Sequence, residues 1–350
     1  MKRRRGILAL LLLLVLVFTL SACKEKTSTE TNTKDTGSTS GAGGDLSTVT
    51  LRVGATGWNL QGEILKAAGL DDTPYKVEYT VFQGGNLGLE AMAADQIDFT
   101  ATSEIPPIFA SLAENGGNFK IIAVNNSNTL LQELILPPGS AIKSVAELKG
   151  KKVGYIKSTT AQYFLYEMLK EAGLKWTDID AIEISTADGV TALLGGNLDA
   201  FASYGNSINA AKNGGATTLA SAQDILSGNF PYEASVKALG NEAKRAAIAD
   251  YLARLQLAYE WQKAHLEDWA KISADPTGQT VADALDVLKK GYGQRDTKTV
   301  LISDEIKKSE QNVADAFYEV GLLEKKVDVS TFYDNTLTKA YQSALEALKK

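Results

Sequence analysis

The chain is poor in the side chains on which many enzymes and metal sites depend. Its 350 residues include one cysteine, Cys23, and one histidine, His265. A Ser-His-Asp or Cys-His site would need that single histidine, and a typical zinc site needs several His or Cys ligands. His265 lies beside Lys263 and Glu267 in a helix-like stretch, which is typical of a solvated helix face. We therefore expect a protein that is not an enzyme and that has no catalytic residue, metal or cofactor.

Basic charge and phosphate-binding motifs are also scarce. The first 22 residues contain four basic residues and no acidic one, and the remainder has 32 basic against 42 acidic side chains, a net charge of −10. An acidic body argues against a nucleic acid partner and against a basic membrane-binding face. The glycine-rich stretch Gly84–Gly88 lacks the Gly-Lys-Ser/Thr that completes a nucleotide-binding loop. We expect no nucleic acid partner.

The N-terminus has the parts of a secretory signal. Lys2–Arg5 is basic, Ile7–Leu20 is an uninterrupted apolar run, and Leu20-Ser21-Ala22-Cys23 follows. The apolar run is shorter than the roughly 20 residues of an ordinary membrane-spanning helix, and the three parts together define an export signal. The last four residues resemble a bacterial lipobox. This resemblance implies that residues 1–22 are a signal peptide and that Cys23 is lipidated.

Residues 23–48 are predicted to be the lipidated cysteine and a flexible linker. The segment from Lys24 onward is rich in Ser, Thr, Gly, Lys and Glu and contains almost no large apolar side chain. Such a segment cannot bury enough apolar surface to offset its chain entropy. Acylation also accounts for a lone cysteine in an exported protein. We expect a protein anchored by lipid to the extracytoplasmic face of the cell membrane.

From residue 49 onward, short apolar strands alternate with amphipathic helical stretches. Leu51–Gly54, Val77–Phe82 and Ile97–Ala101 are predicted strands, each followed by a predicted helix. The pattern starts again after Pro137-Pro138, and the chain is mostly helical from Asn241 onward. Alternating strands and helices predict parallel-type α/β sheets. The globular part, about 300 residues, is long enough for two lobes.

One internal similarity supports two lobes of the same architecture. Ala94–Ser103 aligns without gaps on Gly195–Tyr204. Each segment contains a helix end, a tight turn, an Ile/Leu-Asp pair and an apolar strand that ends in polar residues. The alignment predicts that the two segments occupy equivalent positions in the two lobes.

Polar turns follow several predicted strands, and ligands of open α/β sheets bind beyond the carboxyl ends of strands. Helices begin at these turns, and a helix N-terminus presents unpaired amides and partial positive charge to an anion. Hydroxyl groups add donors, and aromatic side chains can pack on the apolar part of a ligand. The candidate ligand-binding residues are Trp58, Gln83, Gly84, Gly85, Thr102, Ser103, Glu104, Ser158, Thr159, Thr160, Gln162, Asp188 and Tyr204.

The turns resemble those of the bacterial solute-binding proteins for aliphatic sulfonates, taurine and nitrate. The similar segments are Val81–Gly85, Ile97–Pro107, Ile142–Val153, Lys157–Tyr163 and Ala172–Ile179. Two positions depart from the sulfonate binders: Gln162 stands where those proteins often have His, and Ser203–Asn206 stands where they usually have Trp-Asp-Pro. These departures leave open a different anion or a neutral sulfur compound.

The resemblance implies a periplasmic-binding-protein-like (type II) α/β clamshell with a ligand cleft between two lobes. It implies capture of an aliphatic sulfonate or a related small organic anion for uptake by an ABC importer. The partners would be this small anionic organic solute and an ABC-transporter permease, and the protein would be a monomer. Lobe 1 is predicted to comprise residues 49–136 and 230–350, and lobe 2 residues 137–229. Nitrate, taurine or a thiamine pyrimidine precursor remain alternative ligands. An enzyme of the same fold family and a sensor ectodomain are rival interpretations.

Overall fold

The structure, a computed structural model, describes residues 45–350 of the chain. The predicted signal peptide, Cys23 and most of the predicted linker lie outside these described residues. The described residues form two α/β lobes, each built on one mixed sheet with helices packed against it. No helix among them is both long and apolar enough to cross a membrane.

The first lobe contains a six-stranded sheet in the spatial order β11-β4-β10-β3-β1-β2. Strand β1 is parallel to β2 and β3, whereas β10 is antiparallel to β3 and β4. The strands are β1 (Thr50–Thr56), β2 (Lys76–Phe82), β3 (Phe99–Ala101), β4 (Phe119–Asn126), β10 (Asn229–Ser235) and β11 (Lys298–Val300). The helices are α1 (Leu60–Ala67), α2 (Gly85–Ala93), α3 (Ile105–Ala110), α7 (Val236–Leu239), α8 (Glu242–Ala264), α9 (Leu266–Ser273), α10 (Val281–Gln294), α11 (Asp304–Glu319) and α12 (Thr338–Leu348).

The second lobe contains a five-stranded sheet in the order β7-β6-β8-β5-β9. Its strands are β5 (Gln132–Leu136), β6 (Lys152–Tyr155), β7 (Asp180–Glu183), β8 (Ala200–Tyr204) and β9 (Thr217–Ser221). Its helices are α4 (Thr160–Glu171), α5 (Thr186–Leu194) and α6 (Asn206–Asn213). One apolar core fills this lobe, around residues such as Phe164 and Phe201, while the first lobe has a separate core on each face of its sheet.

Two features of the sheets differ from the sequence-based expectations. Each sheet is mixed rather than parallel, because β10 runs against its neighbours in the first sheet and β5 runs against β8 and β9 in the second. The chain also crosses between lobes earlier than predicted. Strand β5, which was assigned to lobe 1, is hydrogen-bonded into the second sheet, so the crossing lies between β4 and β5 rather than at Pro137-Pro138.

The internal similarity corresponds to a repeated structural element. The turns after α2 and α5 place Asp95 and Gly196 in the left-handed region, with φ of 57° and 72°. Asp98 and Asp199 follow closely, and each accepts a hydrogen bond from a backbone amide of the neighbouring parallel strand, Arg52 N of β1 at 3.0 Å and Lys152 N of β6 at 2.8 Å. The predicted equivalence of Ala94–Ser103 and Gly195–Tyr204 is confirmed.

Candidate functional site

An inner cavity of about 370 Å³ lies between the lobes, beside the segments that connect them. It is enclosed by the ends of first-lobe strands, by the starts of α2, α4 and α6, and by the connecting segment before β5. Its lining residues are Thr56, Leu60, Gly85, Ala101, Thr102, Ser103, Pro106, Asn125, Ser127, Asn128, Leu130, Leu131, Gln132, Thr159, Thr160, Tyr204, Gly205, Phe230 and Tyr259. The predicted cleft at the carboxyl ends of the strands is therefore present.

An outer cavity of about 540 Å³ adjoins the inner one and shares Thr56, Tyr204 and Gly205 with it. Its remaining wall is mostly apolar. The other lining residues are Gly57, Trp58, Val81, Phe82, Gln83, Thr186, Ala187, Val190, Asn206, Ser207 and Ala210. Together the two cavities make a cleft whose wall is mainly apolar at both ends, with the larger polar share at the inner end.

Three helices begin at the inner cavity without a side-chain cap. The N-cap residues of α2, α4 and α6 are Gly84, Thr159 and Gly205, and none of their side chains accepts a hydrogen bond from the first helical turn. Some other helices are capped, since Asn241 Oδ1 accepts from Lys244 N and Ser303 Oγ accepts from Ile306 N, whereas α3, α9 and α12 also lack a side-chain cap. What sets α2, α4 and α6 apart is that all three begin at the cavity. Gln162 N and Ile208 N already donate to backbone carbonyl oxygens, so the amides before them are the ones left to a ligand, and the helix dipoles favour an anion there.

Two polar side chains of the inner cavity are buried without a hydrogen-bond partner. They are Tyr204, through its hydroxyl, and Asn125, through its side-chain oxygen. Burial raises the pKa of Tyr204 to about 12, and the nearby Thr159 hydroxyl opposes this shift. The phenol therefore stays neutral and can donate a hydrogen bond to a ligand oxygen. A buried polar group without a partner is costly, and a bound ligand would remove that cost.

Among the described residues, no Asp, Glu, Lys, Arg or His side chain lines either cavity. Lys157, the cation nearest in sequence to the predicted hydroxyl turn, lies in a neighbouring crevice and forms a 3.2 Å ion pair with Glu183. The cleft therefore offers an anion amides and hydroxyls in place of a counter-charge.

Thr102 reaches the inner cavity from the end of β3 and is held by a buried carboxyl group. Its Oγ1 lies 2.5 Å from Glu233 Oε1 and 2.9 Å from the carbonyl oxygen of Ser103. Burial raises the pKa of Glu233 well above its ordinary value, with the opposing hydrogen bond of Thr102 too weak to compensate. A neutral Glu233 can donate to Thr102 while Thr102 donates to Ser103, which fixes the threonine at the cavity wall.

Most predicted ligand residues lie at the cleft. Eight of them line the cavities, at the strand ends where they were expected, and a ninth, Gly84, lies in the neighbouring crevice beside Gln83. The eight are Trp58, Gln83, Gly85, Thr102, Ser103, Thr159, Thr160 and Tyr204, the last at the boundary of the two cavities. The hydroxyls of Thr159 and Thr160 already donate to Ile156 O and Gln132 Oε1, both at 2.7 Å, so the α4 amides are the available donors.

Besides Gly84, four predicted residues do not line either cavity: Glu104, Ser158, Gln162 and Asp188. Glu104 is buried behind the wall of the inner cavity. There Asn229 Nδ2 donates to its carboxyl group at 3.0 Å, and the Ser227 hydroxyl donates as well. Gln162 Oε1 accepts from the backbone amide of Ser158 at 2.8 Å, so both residues stabilise their own turn. Asp188 pairs with Ser185 in a cap at the start of α5. These side chains shape the walls and are not placed to contact a ligand there.

Several lining residues were missed by the sequence analysis. Asn125 lies on β4, Phe230 on β10 and Tyr259 on α8, and Gln132 begins β5. These positions are far apart in the sequence and carry no strand-turn-helix signature. Only the mixed pairing of the sheets brings them to one cavity.

A second contact between the lobes lies along α6, and of the residues that make it only Asn206 also lines the outer cavity. Three asparagines on α6 donate from their side-chain amides to consecutive carbonyl oxygens of the first-lobe loop 276–278, between α9 and α10. The bonds run from Asn206 to Pro276 O at 3.3 Å, from Asn209 to Thr277 O at 3.2 Å and from Asn213 to Gly278 O at 2.6 Å. We call this set the asparagine latch. It holds α6, whose first turn lines the cleft, against the first lobe.

His265, the single histidine of the sequence, lies outside the cleft. It connects α8 to α9, its ring stacks on Trp261 with centroids 4.8 Å apart, and its Nδ1 lies 2.8 Å from Trp261 O. It does not line either cavity. In the described part of the chain, no three His, Cys, Asp or Glu residues are grouped so that they could hold a metal ion.

Known proteins are similar to this chain in sequence and in fold. The family described as NMT1/THI5 like matches residues 66–234. An Escherichia coli protein named as an aliphatic sulfonates-binding protein is 30% identical over 301 residues, which cover 83% of this chain and 91% of that protein. The chain belongs to this family of solute-binding proteins. The resemblance inferred from the turns is confirmed.

Solved structures confirm the two-lobed fold. The periplasmic aliphatic sulphonate binding protein SsuA from Escherichia coli matches with a TM-score of 0.69 and 28% identity, covering 81% of this chain and 92% of its own. The desulfurization enzyme DSZB matches with a TM-score of 0.61 and 13% identity, covering 85% of this chain and 99% of its own. At that identity the likeness to the enzyme shows the fold alone.

Proposed function

We propose that this solute-binding protein captures an organic sulfonate and delivers it to the membrane permease of an ABC importer. The observation that carries the proposal is the inner cavity, which combines three uncapped helix N-termini with an unpartnered tyrosine hydroxyl and no charged wall. A sulfonate has three oxygen acceptors and a single negative charge, which suits such a set of donors. The names of the E. coli relatives agree with this chemistry.

Hydrogen-bond donors from both lobes would contact the sulfonate. The first-turn amides of α2 belong to the first lobe, and those of α4 and α6 belong to the second. A ligand that contacts both lobes stabilises the closed arrangement relative to an open one. We infer that residues 49–126 with 229–350 and residues 131–226 close as two bodies about the connecting segments.

The proposal includes no chemical step. Serine and threonine hydroxyls in the inner cavity lack a histidine or carboxylate base at its wall, and Tyr204 remains protonated at neutral pH because burial raises its pKa to about 12. Without a general base or a charged electrophile, these groups can hold a ligand but have no means of activating a nucleophile. We therefore assign binding rather than catalysis.

A ligand panel with a matched pair of variants tests the head-group assignment. Methanesulfonate, hexanesulfonate, taurine, nitrate, sulfate and a pyrimidine are compared by calorimetry and by thermal shift, and we expect a sulfonate to bind best. Tyr204→Phe should weaken sulfonate binding by about 1.5 kcal/mol or more, because it removes a donor to a charged oxygen. Tyr155→Phe, in the core of the same lobe, should leave affinity unchanged. Binding of the pyrimidine with no response to any sulfonate would contradict the proposal.

Membrane attachment is the second part of the proposal. The segment Leu20-Ser21-Ala22-Cys23 supports lipidation of Cys23 at the extracytoplasmic face, and a lipid chain with the following polar linker would keep the body near its permease. Cys23→Ala should move the protein from the membrane fraction to the soluble fraction. Retention of a processed Cys23→Ala protein in the membrane would count against the anchor.

A further inference from the structure

Two unpartnered polar atoms from opposite lobes lie close together at the start of α2. They are the side-chain oxygen of Asn86, in the first turn of α2, and the hydroxyl of Tyr204, at the end of β8, and both are buried without a hydrogen-bond partner. A β-carbon on Gly84 would lie 2.5 Å from the Asn86 oxygen and 3.0 Å from the Tyr204 oxygen. The two oxygens are therefore no further apart than the sum of these distances, 5.5 Å.

Space, and not backbone conformation, distinguishes the glycine beside these two atoms. Gly84 has φ of −155° and ψ of 154°, an extended conformation that any residue can adopt. A methyl group at this position would lie closer than ordinary van der Waals contact to both Asn86 and Tyr204. The missing side chain at Gly84 therefore leaves the room in which the two polar groups can meet.

The chemistry of the pair allows one hydrogen bond that serves both groups. An amide side chain presents either its oxygen or its NH2 group after a half-turn about its last torsion, and a phenol can accept one hydrogen bond while it donates another. If Asn86 Nδ2 donates to Tyr204 Oη, the tyrosine O–H is free for an acceptor in the inner cavity, which Tyr204 lines. The reverse direction would point the O–H at Asn86 and away from the cavity, so an anion in the cavity favours the amide as donor.

Neighbouring contacts support this pairing. The Thr159 hydroxyl, which lies near Tyr204, donates to Ile156 O at 2.7 Å, so it is not available as the donor to Tyr204. Beside the pair, Thr186 Oγ1 of the second lobe donates to Gln83 Oε1 of the first lobe at 3.4 Å. The segment before α2 is thus already in contact with the second lobe, and a side-chain rotation or a slight closure of the lobes would join Asn86 to Tyr204.

We propose that Asn86 is a positioning residue for Tyr204: its side-chain amide donates to the tyrosine hydroxyl across the cleft and directs the O–H of Tyr204 into the inner cavity. Gly84 leaves the space in which this bond forms. The inference rests on the proposed function for the anion in the cavity, and it adds a residue that lines neither cavity. Because hydrogen bonds in a chain strengthen one another, an anion that accepts from Tyr204 also strengthens this contact between the lobes.

A double-mutant cycle tests whether Asn86 acts through Tyr204. Dissociation constants for hexanesulfonate are measured by calorimetry for the wild type, Asn86→Ala, Tyr204→Phe and the double variant. Asn86→Ala should weaken binding about fivefold and Tyr204→Phe at least about tenfold. The double variant should bind no more weakly than Tyr204→Phe, because the amide has no effect without the hydroxyl. Asn312→Ala, at an exposed asparagine of α11, should leave the affinity unchanged. Losses that add in the double variant would overturn the inference.

A methyl group at Gly84 tests the space between the two side chains. Gly84→Ala should weaken hexanesulfonate about as much as Asn86→Ala does, and combining the two should weaken it no further. Gly293→Ala, at a glycine of α10 whose added β-carbon would meet open space, should leave the affinity unchanged. An unchanged affinity in Gly84→Ala would contradict the inference.

A measurement without ligand separates this inference from the proposed function. The protein is labelled with a fluorinated tyrosine, and the fluorine NMR signal of Tyr204 is identified by its loss in Tyr204→Phe. Asn86→Ala should shift that signal, and Asn312→Ala should not. If no sulfonate binds but the shift is present, the sulfonate assignment is wrong and the bond between the lobes stands. If sulfonates bind while the signal stays in place and the affinity losses add, the inference is wrong and the sulfonate assignment stands.

Discussion

Asp98 in the first lobe and Asp199 in the second occupy equivalent turns, but they are anchored differently. Both accept a hydrogen bond from a backbone amide of the neighbouring parallel strand, β1 for Asp98 and β6 for Asp199. Asp98 is also bound by Arg52 at 2.7 Å and by Lys244 at 2.8 Å, and its side chain is 2% exposed. Asp199 has no ion pair among the described residues. The same backbone turn is thus stabilised by ion pairs in the first lobe and by a single hydrogen bond to the backbone in the second.

The packing beneath these turns differs in the same way. Gly88 of α2 faces Thr100 of β3, and the equivalent Gly189 of α5 faces Phe201 of β8. A β-carbon at Gly88 would lie 3.2 Å from the threonine hydroxyl, but at Gly189 it would lie 2.2 Å from the phenylalanine ring. The first lobe relies on charge at its turn and the second relies on close aromatic packing. This comparison predicts which substitutions each lobe tolerates.

Loss of the buried carboxylate should have the largest effect. Asp98→Ala should lower the free energy of unfolding by about 3 kcal/mol, because it leaves Arg52 and Lys244 without their partner. Asp199→Ala should cost about 1 kcal/mol, the value of one backbone hydrogen bond. Urea denaturation of both variants measures the difference. Equal losses would show that the ion pairs of Asp98 add nothing to stability.

The contribution of Asp98 should also depend on pH. Burial alone would raise the pKa of Asp98, but hydrogen bonds from Arg52 and Lys244 outweigh it and hold the pKa below its ordinary value. A depressed pKa stabilises the folded state above the unfolded-state pKa of about 3.9 and loses this effect as pH falls through the folded-state pKa. The stability gap between wild type and Asp98→Ala should therefore be full at pH 6 and shrink below pH 4. A constant gap in urea titrations at each pH would refute this.

A methyl group at the second-lobe glycine should have an intermediate effect. Gly189→Ala should destabilise the protein by about 1–3 kcal/mol, because Phe201 must move from its packed position. Gly88→Ala should change the free energy of unfolding by less than about 1 kcal/mol, since the gain in helix propensity offsets a mild contact with Thr100. Thermal and urea unfolding compare the pair. A harmless Gly189→Ala would indicate that the second lobe is less tightly packed than its structure shows.

The smallest effect concerns the contact that joins the lobes outside the cleft. Asn213→Ala removes one bond of the asparagine latch, at an exposed position, and should weaken ligand binding by about 0.5–1 kcal/mol. The weakening should appear in the dissociation rate measured by stopped flow. Unchanged dissociation in Asn213→Ala and in Asn206→Ala alike would show that the latch does not hold the closed arrangement.

Local sequence signals were sufficient for the helix starts at the cleft. Thr102 follows β3 directly, and Gly85 and Thr159 come shortly after the ends of β2 and β6, so a short segment contains the whole strand-turn-helix signature. Strands β4, β5 and β10 were missed because no amphipathic helix follows them in the alternating pattern, and their pairing partners are distant in sequence. The mixed sheets and the position of the first crossing follow from that pairing.

The misplaced ligand residues have a common cause. Glu104, Gln162 and Asp188 are polar residues at strand ends or helix starts, where a side chain that binds a ligand and one that stabilises its own turn have the same sequence pattern. The structure distinguishes the two cases by where the side chain points and by the group to which it is hydrogen-bonded. Asn125 and Tyr259 show the converse, because a residue within a strand or a long helix gives no local signal that it faces a cavity.

The asparagine latch allows ligand selectivity and ligand residence time, two properties of a carrier protein, to vary independently. All three bonds end on backbone carbonyl oxygens, and those of Asn209 and Asn213 start at side chains that line neither cavity, so these two do not distinguish one ligand from another. A change in loop 276–278 would alter the residence time of every ligand by a similar factor and leave the ratios of their affinities unchanged. Selectivity can therefore diverge at the cavity walls while the rate of hand-over to the permease is adjusted at α6 and its loop.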